Sequence, residues 1–342
     1  MSGAAKVRVA GAGALGLSTA LALADAGCTV TVFDPTPPFS GASGVAAGML
    51  APVFETVLDA DGPGDLALLL AARDLWPGLA ERAGVELDRS GAVAVGAEAW
   101  LAEIKTRLAA LGLHGADLGP PTLAALLPGL AVGFALGVMT REDWRLDPVA
   151  ALAALRQAAT EAGVGFRAEA VADRGDADWL VAATGAARDL APELAHLTPI
   201  KGHIARMECS DVGRVCLRGE AAYAVPTAGG VAIGATMEPG VDDPTVDPAK
   251  GPLLRDAGAR LFPALADAPF QLFAGIRAAT PDGLPMAGAS AEPGVLVAAG
   301  ARRNGWLLAP LVAQVIAACV TGHDPGPYAA RLDPRRFEGR AR

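Results

Sequence analysis

Glycines stand at positions 11, 13 and 16, between a short apolar run, "VRVA", and a second, "CTVTVF", that ends on Asp34. In a G-x-G-x-x-G turn, Gly11 permits the tight bend and Gly13 lets backbone approach a pyrophosphate. Gly16 lets a helix pack closely on a strand. The free amides of the helix start, at Ala14 and Leu15, then face phosphate oxygens. A carboxylate at Asp34 is placed to bond a ribose hydroxyl. This is the chemistry of dinucleotide binding, and the spacing leaves NAD and FAD both open.

The elements that hold these residues follow from pattern. "VRVA" reads as a buried strand, and Leu17, Leu21 and Ala24 recur at helical spacing. "CTVTVF" alternates as a second strand, parallel to the first through a right-handed crossover. Residues 35–52 are rich in Pro, Gly, Ser and Ala and read as a long ordered loop. Ser43, Ala46, Ala47 and Gly48 would let its backbone lie flat against a large planar group. "ALAALRQAATEAG" is an amphipathic helix. "ADWLVAATG" is a strand ending at Thr184 and Gly185, a further parallel return to the first sheet. "SGAVAVGA" and "YAVPTAGGVAIGA" suit antiparallel strands. Gly305 to Thr321 reads as a buried helix too short to span a membrane. Pro310 is assigned to its first turns, where a missing N–H costs little.

Length and charge narrow the function. The chain has 342 residues, enough for one large or two moderate domains, and 52% are hydrophobic. Its 28 Lys and Arg against 37 Asp and Glu give a net charge of −9, which disfavours nucleic acid. Arg331, Arg335, Arg336, Arg340 and Arg342 read as a solvated tail. The four cysteines and four histidines are scattered without metal-ligand spacing, so no metal is expected and a reducing cytoplasm is. Lys6 and Arg8 imitate a signal peptide, but the glycines interrupt the apolar run and Asp25 closes it. No membrane segment is expected.

Later segments resemble, in order, the motifs of the FAD-dependent D-amino-acid oxidase superfamily, most closely its thiamine-pathway-type glycine oxidases. "AAGML" at 46–50 is similar to that group's flavin-side loop. "EDWRLDPVAALAAL" resembles the re-entry into the FAD domain, and "WLVAATGA" the second FAD strand. "PIKGHI" resembles the P-x-[RK]-G-x segment. "YAVPTAGGVAIGATMEPG", "GIRAATPDGLPMAG" and "GARRNGWLLAP" complete the series. A second G-x-G-x-x-G, the mark of two-nucleotide FAD/NAD reductases, is absent.

The resemblance implies an α/β fold. A Rossmann-like FAD-binding domain of the glutathione-reductase type 2 arrangement is interleaved with an antiparallel-sheet α+β substrate domain. Residues 1–88, 147–200 and 275–342 form the first domain, and residues 89–146 and 201–274 the second. FAD is implied, held by the glycine turn with Asp34, by Ser43, Ala47, Gly48 and Met49, and by Val171, Thr184 and Gly185. The closing motif adds Arg302, Asn304, Gly305, Trp306 and Leu307. Covalent relatives attach FAD through a cysteine where this chain has Gly275, so non-covalent FAD is expected.

The resemblance also assigns chemistry. Arg277 matches the arginine that binds the substrate carboxylate, a task for a planar bidentate donor. Read without the family, Arg277 could instead pair with an acid such as Asp282. Tyr223 matches a tyrosine whose hydroxyl helps hold the carboxylate. Arg303 joins these two as the third catalytic assignment, through the match of Arg303, Asn304 and Gly305 to the motif R-N-G. The helix beyond that motif directs its N-terminus at the flavin C2 carbonyl, where it would stabilise negative charge. Ala301 and Arg302 depart from the pattern, which carries a His and an aromatic there, and Thr227 stands where the family often has Arg. A second guanidinium at 302 either recruits a further carboxylate or points to solvent.

The reaction implied is oxidative deamination of glycine, a small amine or a D-amino acid. A hydride passes from Cα to flavin N5, giving an imine and then a 2-oxo acid. Two other readings stand beside it. One is the same oxidation with an acceptor other than oxygen. The other is a flavin-bound interaction protein without turnover. The implied partner is a small amino acid or amine, and a homo-oligomer is compatible with the family.

Overall fold

The computed structural model of the chain describes residues 4–59 and 65–338. The opening unit is β1 (Lys6–Ala10), α1 (Ala14–Asp25) and β2 (Thr29–Phe33). Then come α2 (Ala42–Val45), β3 (Met49–Leu50), α3 (Pro52–Leu58), α4 (Leu66–Asp74) and α5 (Trp76–Ala83). A first excursion holds β4 (Ala92–Val95), α6 (Glu98–Ala110), β5 (Ala116–Leu118), α7 (Pro120–Leu126), β6 (Gly137–Thr140) and β7 (Trp144–Arg145). The chain returns through α8 (Pro148–Glu161), β8 (Gly165–Arg167) and β9 (Trp179–Ala182). A second excursion holds β10 (Thr198–Glu208), β11 (Cys216–Arg218), β12 (Tyr223–Thr227), β13 (Gly230–Gly234), β14 (Glu238–Pro239), α9 (Lys250–Leu261) and β15 (Phe270–Ala279). It closes with β16 (Met286–Ala289), β17 (Val295–Ala299), α10 (Gly305–Thr321) and α11 (Ala329–Leu332).

These elements form two main sheets. In the first, β1 runs parallel to β2 on one side and β9 on the other, with Val7 opposite both Val30 and Trp179. β8 extends it beyond β2, and β17 beyond β9, again in parallel. Strand–helix–strand order produces this, because parallel neighbours need a crossover long enough to hold a helix. In the second sheet, β10 pairs with β15 along ten residue pairs, from Thr198–Ala279 to Met207–Phe270. Its other edge is taken by β13 and then β14. β12 and β13 form the antiparallel hairpin read from "YAVPTAGGVAIGA".

The core of the first sheet is built by α1, which packs against α8 and α10. Leu17, Leu21 and Leu23 of α1 are buried with Leu307, Leu308 and Val312 of α10. Each such side chain contributes about 1.5–3 kcal/mol relative to exposure. Pro310 falls in the sixth position of α10 rather than at its start. Its missing N–H would have served the Trp306 carbonyl, one turn back. The Trp76 indole N–H donates to that carbonyl instead, at 3.0 Å.

Four other expectations change. Residues 35–52 are not loop throughout, since they contain α2 and β3. β4 is antiparallel to β6 but parallel to β11. The expected domain boundaries at 200/201 and 274/275 fall inside β10 and β15, which are continuous strands. The C-terminal arginines are not simply a solvated tail. Arg336 clamps Asp282 through two nitrogens at 2.8 and 3.0 Å, and Arg331 pairs with Asp65. Arg340 and Arg342 lie outside the described residues. Among the described residues no helix is long and apolar enough to cross a membrane.

Candidate active site

Gly11 takes a φ of +106°, open to glycine and strained for other residues. A Cβ there would lie 2.3 Å from the Ala183 carbonyl oxygen, and one on Gly16 would lie 2.0 Å from that of Gly11. α1 starts at once after the turn, with no side-chain cap and no acid in its first turn. Its amides and the positive end of its dipole therefore face the turn. The Ala12 N–H donates to Asp34 at 2.8 Å, and the Ala14 N–H to Ser43 Oγ at 3.0 Å. Thr184 passes beside Gly11, Gly185 takes a φ of +66°, and Val171 packs in a small cluster with Ala10 and Ala186. These residues gather beyond the carboxyl ends of the parallel strands, where open α/β sheets bind ligands.

Ser43 joins this turn to a cavity of about 320 Å³ between the two sheets. One wall is Ala47, Gly48 and Met49, and another is Asn304, Gly305 and Trp306 at the start of α10. The Trp306 indole N–H donates to the Ser43 carbonyl at 3.0 Å and fixes the walls together. Gly48 has a φ of +81°, and a Cβ there would lie 2.1 Å from the Leu146 carbonyl oxygen. Ala14 is buried in the core cluster, and Leu15 packs against it, so both can offer only backbone. Leu307 is fully buried in the core cluster and absent from the cavity lining.

The remaining wall is the face of β10 and β15. Gly202 and Gly275 are opposite one another, two places from the Ile200–Arg277 pair. Arg277 lies over Gly202, where a Cβ would stand 2.3 Å from its Nη2. Its only polar contacts among the described residues are the Thr236 carbonyl and Met237 Sδ, both 3.3 Å from Nη1. Asp282 is held by Arg336 and is no partner for it. Burial pulls the guanidinium below the ordinary arginine value, with Tyr223 acting the other way. Tyr223 crosses onto Gly234, where a Cβ would stand 2.5 Å from its hydroxyl. That hydroxyl makes no hydrogen bond among the described residues. Burial raises the phenol above its usual range, and Arg277, Arg218 and Arg303 pull it back in part.

The other arginines are matched. Arg218 and Glu55, 4% and 7% exposed in their side chains, meet at 2.8 Å. Arg303 reaches the same Glu55 oxygen at 3.1 Å and Asp59 at 3.5 Å. Burial alone would raise the Glu55 carboxyl, but Arg303 and Arg218 outweigh it and hold Glu55 below its usual range. Arg302, at a φ of +50°, pairs with Asp59, so its guanidinium neither points to solvent nor stands free for a second carboxylate. Beneath α3, the buried Asp143 accepts the N–H groups of Val53 and Phe54. Burial lifts its pKa to about 7, although Arg218 and those two N–H groups oppose the shift.

Glu55, Asp59, Asp143, Arg218, Thr236 and Met237 were not singled out from sequence. Two of them left a signal. Glu55 is a lone acid in the apolar stretch "PVFETVL", and Arg218 a lone cation ending "VCLR". A buried charge implies a partner.

The residues present fit FAD. The glycine turn clears space that any Cβ would fill, the helix start leaves donors for phosphate, and the cavity continues from that turn through Ser43. Gly275 lines the cavity, while the four cysteines are free thiols elsewhere.

Comparison with known proteins agrees with this geometry. The model of a family described as FAD dependent oxidoreductase matches residues 6–319. The chain is 28% identical to the glycine oxidase of Pseudomonas aeruginosa, over 95% of this chain and 98% of that one. It is 31% identical to the tRNA 5-methylaminomethyl-2-thiouridine biosynthesis bifunctional protein MnmC of Maricaulis maris, over 98% of this chain and 57% of the relative. The crystal structure of glycine oxidase from Geobacillus kaustophilus superposes with a TM-score of 0.85 at 28% identity, covering 98% of this chain and all of the other.

Proposed function

This chain belongs to the FAD-dependent oxidoreductase family, and from that premise we propose that it oxidises a small amino acid or amine anchored by its carboxylate on Arg277. It is an FAD-dependent oxidoreductase acting on CH–NH groups. The preferred substrates are glycine, a small secondary amine or a D-amino acid.

One observation carries the reading. Arg277 is a half-buried guanidinium on the cavity wall with neutral acceptors only, while Arg218, Arg302 and Arg303 beside it each meet a carboxylate. A buried unpaired cation is costly unless a ligand completes it. A planar carboxylate does so with two charge-assisted hydrogen bonds. The free Tyr223 hydroxyl can donate to the same group. Glu55 and Asp59 engage the three neighbouring arginines, and Arg277 is the one in the lining without a carboxylate contact among the described residues.

Bound FAD supplies the hydride acceptor. The anchored substrate then turns one face of Cα toward the start of α10. Loss of a hydride from Cα and a proton from nitrogen leaves an imine, which water hydrolyses to the 2-oxo acid and ammonia, or an amine where the substrate is a secondary amine. With the carboxylate fixed, the walls that receive the amine and side chain decide between enantiomers, and the expected preference is for D-alanine over L-alanine.

The test is anaerobic bleaching of the FAD-loaded protein by glycine, sarcosine, D-alanine and L-alanine. Bleaching by glycine or D-alanine and not by L-alanine supports the reading. No bleaching by any amine, or equal bleaching by both alanines, refutes it. Peroxide released on admitting air then separates an oxidase from a dehydrogenase.

A further inference from the structure

The Arg277 fork has two polar neighbours among the described residues, Met237 Sδ at 3.3 Å and Thr236. The Thr236 carbonyl receives Nη1 at 3.3 Å, and no carboxylate among the described residues competes for the guanidinium. Thr236 lies in the short link between β13 and β14, yet it is tied down from several sides. Its N–H donates to the His203 carbonyl at 3.2 Å, and its hydroxyl accepts the His203 N–H at 2.9 Å. The same hydroxyl donates to Glu238 at 3.1 Å.

The support continues behind the strand. His203 is fully buried, and its Nε2 accepts the Asp247 N–H at 3.0 Å. A backbone N–H can only donate, so the ring proton sits on Nδ1. There it lies 3.1 Å from both Glu238 and the Thr236 hydroxyl. Lys250 takes the second Glu238 oxygen at 3.2 Å. Side chains alternate along a strand, so Gly202 seats Arg277 on one face of β10 while His203 anchors Thr236 from the other.

We propose that Thr236 is a positioning residue for Arg277: its hydroxyl, clamped by the His203 backbone and Glu238, fixes the carbonyl that aims the guanidinium and so sets carboxylate affinity. This rests on the reading of Arg277 as the carboxylate anchor. Thr236→Val keeps the shape and removes the hydroxyl, and Thr236→Ser keeps the hydroxyl. Acetate, titrated into each FAD-loaded variant and read from the flavin spectrum, is the probe.

Thr236→Val should raise the acetate Kd about tenfold and Thr236→Ser by less than about twofold, the scale of one misaligned charged hydrogen bond. In an Arg277→Ala background, Thr236→Val should add nothing, because both act through one contact. Glu238→Ala, which leaves the hydroxyl in place, should give a smaller rise and serves if Thr236→Val does not load FAD. An unchanged Kd in Thr236→Val, or equal weakening with and without Arg277, overturns the proposal. If Arg277→Ala binds acetate as well as the wild type, the anchor reading fails. The crystal structure of Thr236→Val then decides the positioning claim. A guanidinium displaced from Gly202 supports it, and one left in place overturns it.

Discussion

The glycine turn and the arginine cluster are both built for anions, by opposite means. The turn uses backbone. Its donors are amides at the start of α1, its room comes from missing side chains, and Asp34 accepts the Ala12 N–H. The cluster uses side chains. Arg218, Arg302 and Arg303 share the carboxylates of Glu55 and Asp59, and Arg277 meets neither. A backbone site is spoiled by whatever fills it. A charged site is spoiled by whatever unbalances it.

The largest effect expected is at the turn. Gly13→Asp places a carboxylate where a pyrophosphate must sit, beside Ser43, and should abolish FAD loading. The purified variant should lack visible absorbance, and a yellow Gly13→Asp protein would break the comparison. Next is the cluster. Arg218→Ala removes the shorter of two arginine contacts to the buried Glu55, leaving Arg303, and should cost about 1.5–3 kcal/mol in urea unfolding. The same truncation at Arg277 should leave the urea midpoint in place, since no ion pair is lost. Equal losses at both positions would erase the distinction between matched and unmatched arginines.

A smaller change tests α10, which serves both regions. Trp76→Phe removes the indole donor that stands in for the Pro310 N–H and should cost about 1–3 kcal/mol, again by urea unfolding. The smallest is a pH effect at Asp143. Its native pKa is raised to about 7 from an ordinary 3.8, so between those values the native state binds more protons than the unfolded chain. Its contribution to stability is full below about pH 4 and is lost as pH rises through about 7. Between pH 5 and 8 the Tm of the wild type should therefore fall relative to that of Asp143→Asn. A constant difference between the two would show that Asp143 does not titrate there.

The same contrast explains what could be read from sequence. The turn is contiguous, so Gly11, Gly13, Gly16 and both flanking strands announce themselves within one stretch. The closing motif also gave the start of α10 at Gly305. Glu55, Asp59 and Arg218 are brought together only by the pairing of β11 with β4 and the seating of α3. No local pattern encodes that register. Arg302 shows the limit from the other side. Sequence marked it as a departure, but its partner Asp59 follows α3, 243 residues earlier, and no local pattern links the two. Pro310 is tolerated six residues into α10 because the remote Trp76 indole serves the Trp306 carbonyl, a contact no local pattern encodes.

The central claim is that Arg277 is the one arginine of the cavity kept for substrate. The most direct measurement is the anaerobic rate of flavin reduction by glycine and D-alanine at low concentration in wild type, Arg277→Ala, Arg277→Lys and Arg302→Ala. Arg277→Ala should load FAD normally and reduce it roughly 10²–10⁴-fold more slowly, since a buried charge pair with substrate contributes about 2–5 kcal/mol. Arg277→Lys should recover part of the rate, because an ammonium keeps the charge and loses the fork. Reduction of Arg277→Ala at the wild-type rate, with the loss appearing in Arg302→Ala instead, would contradict the account.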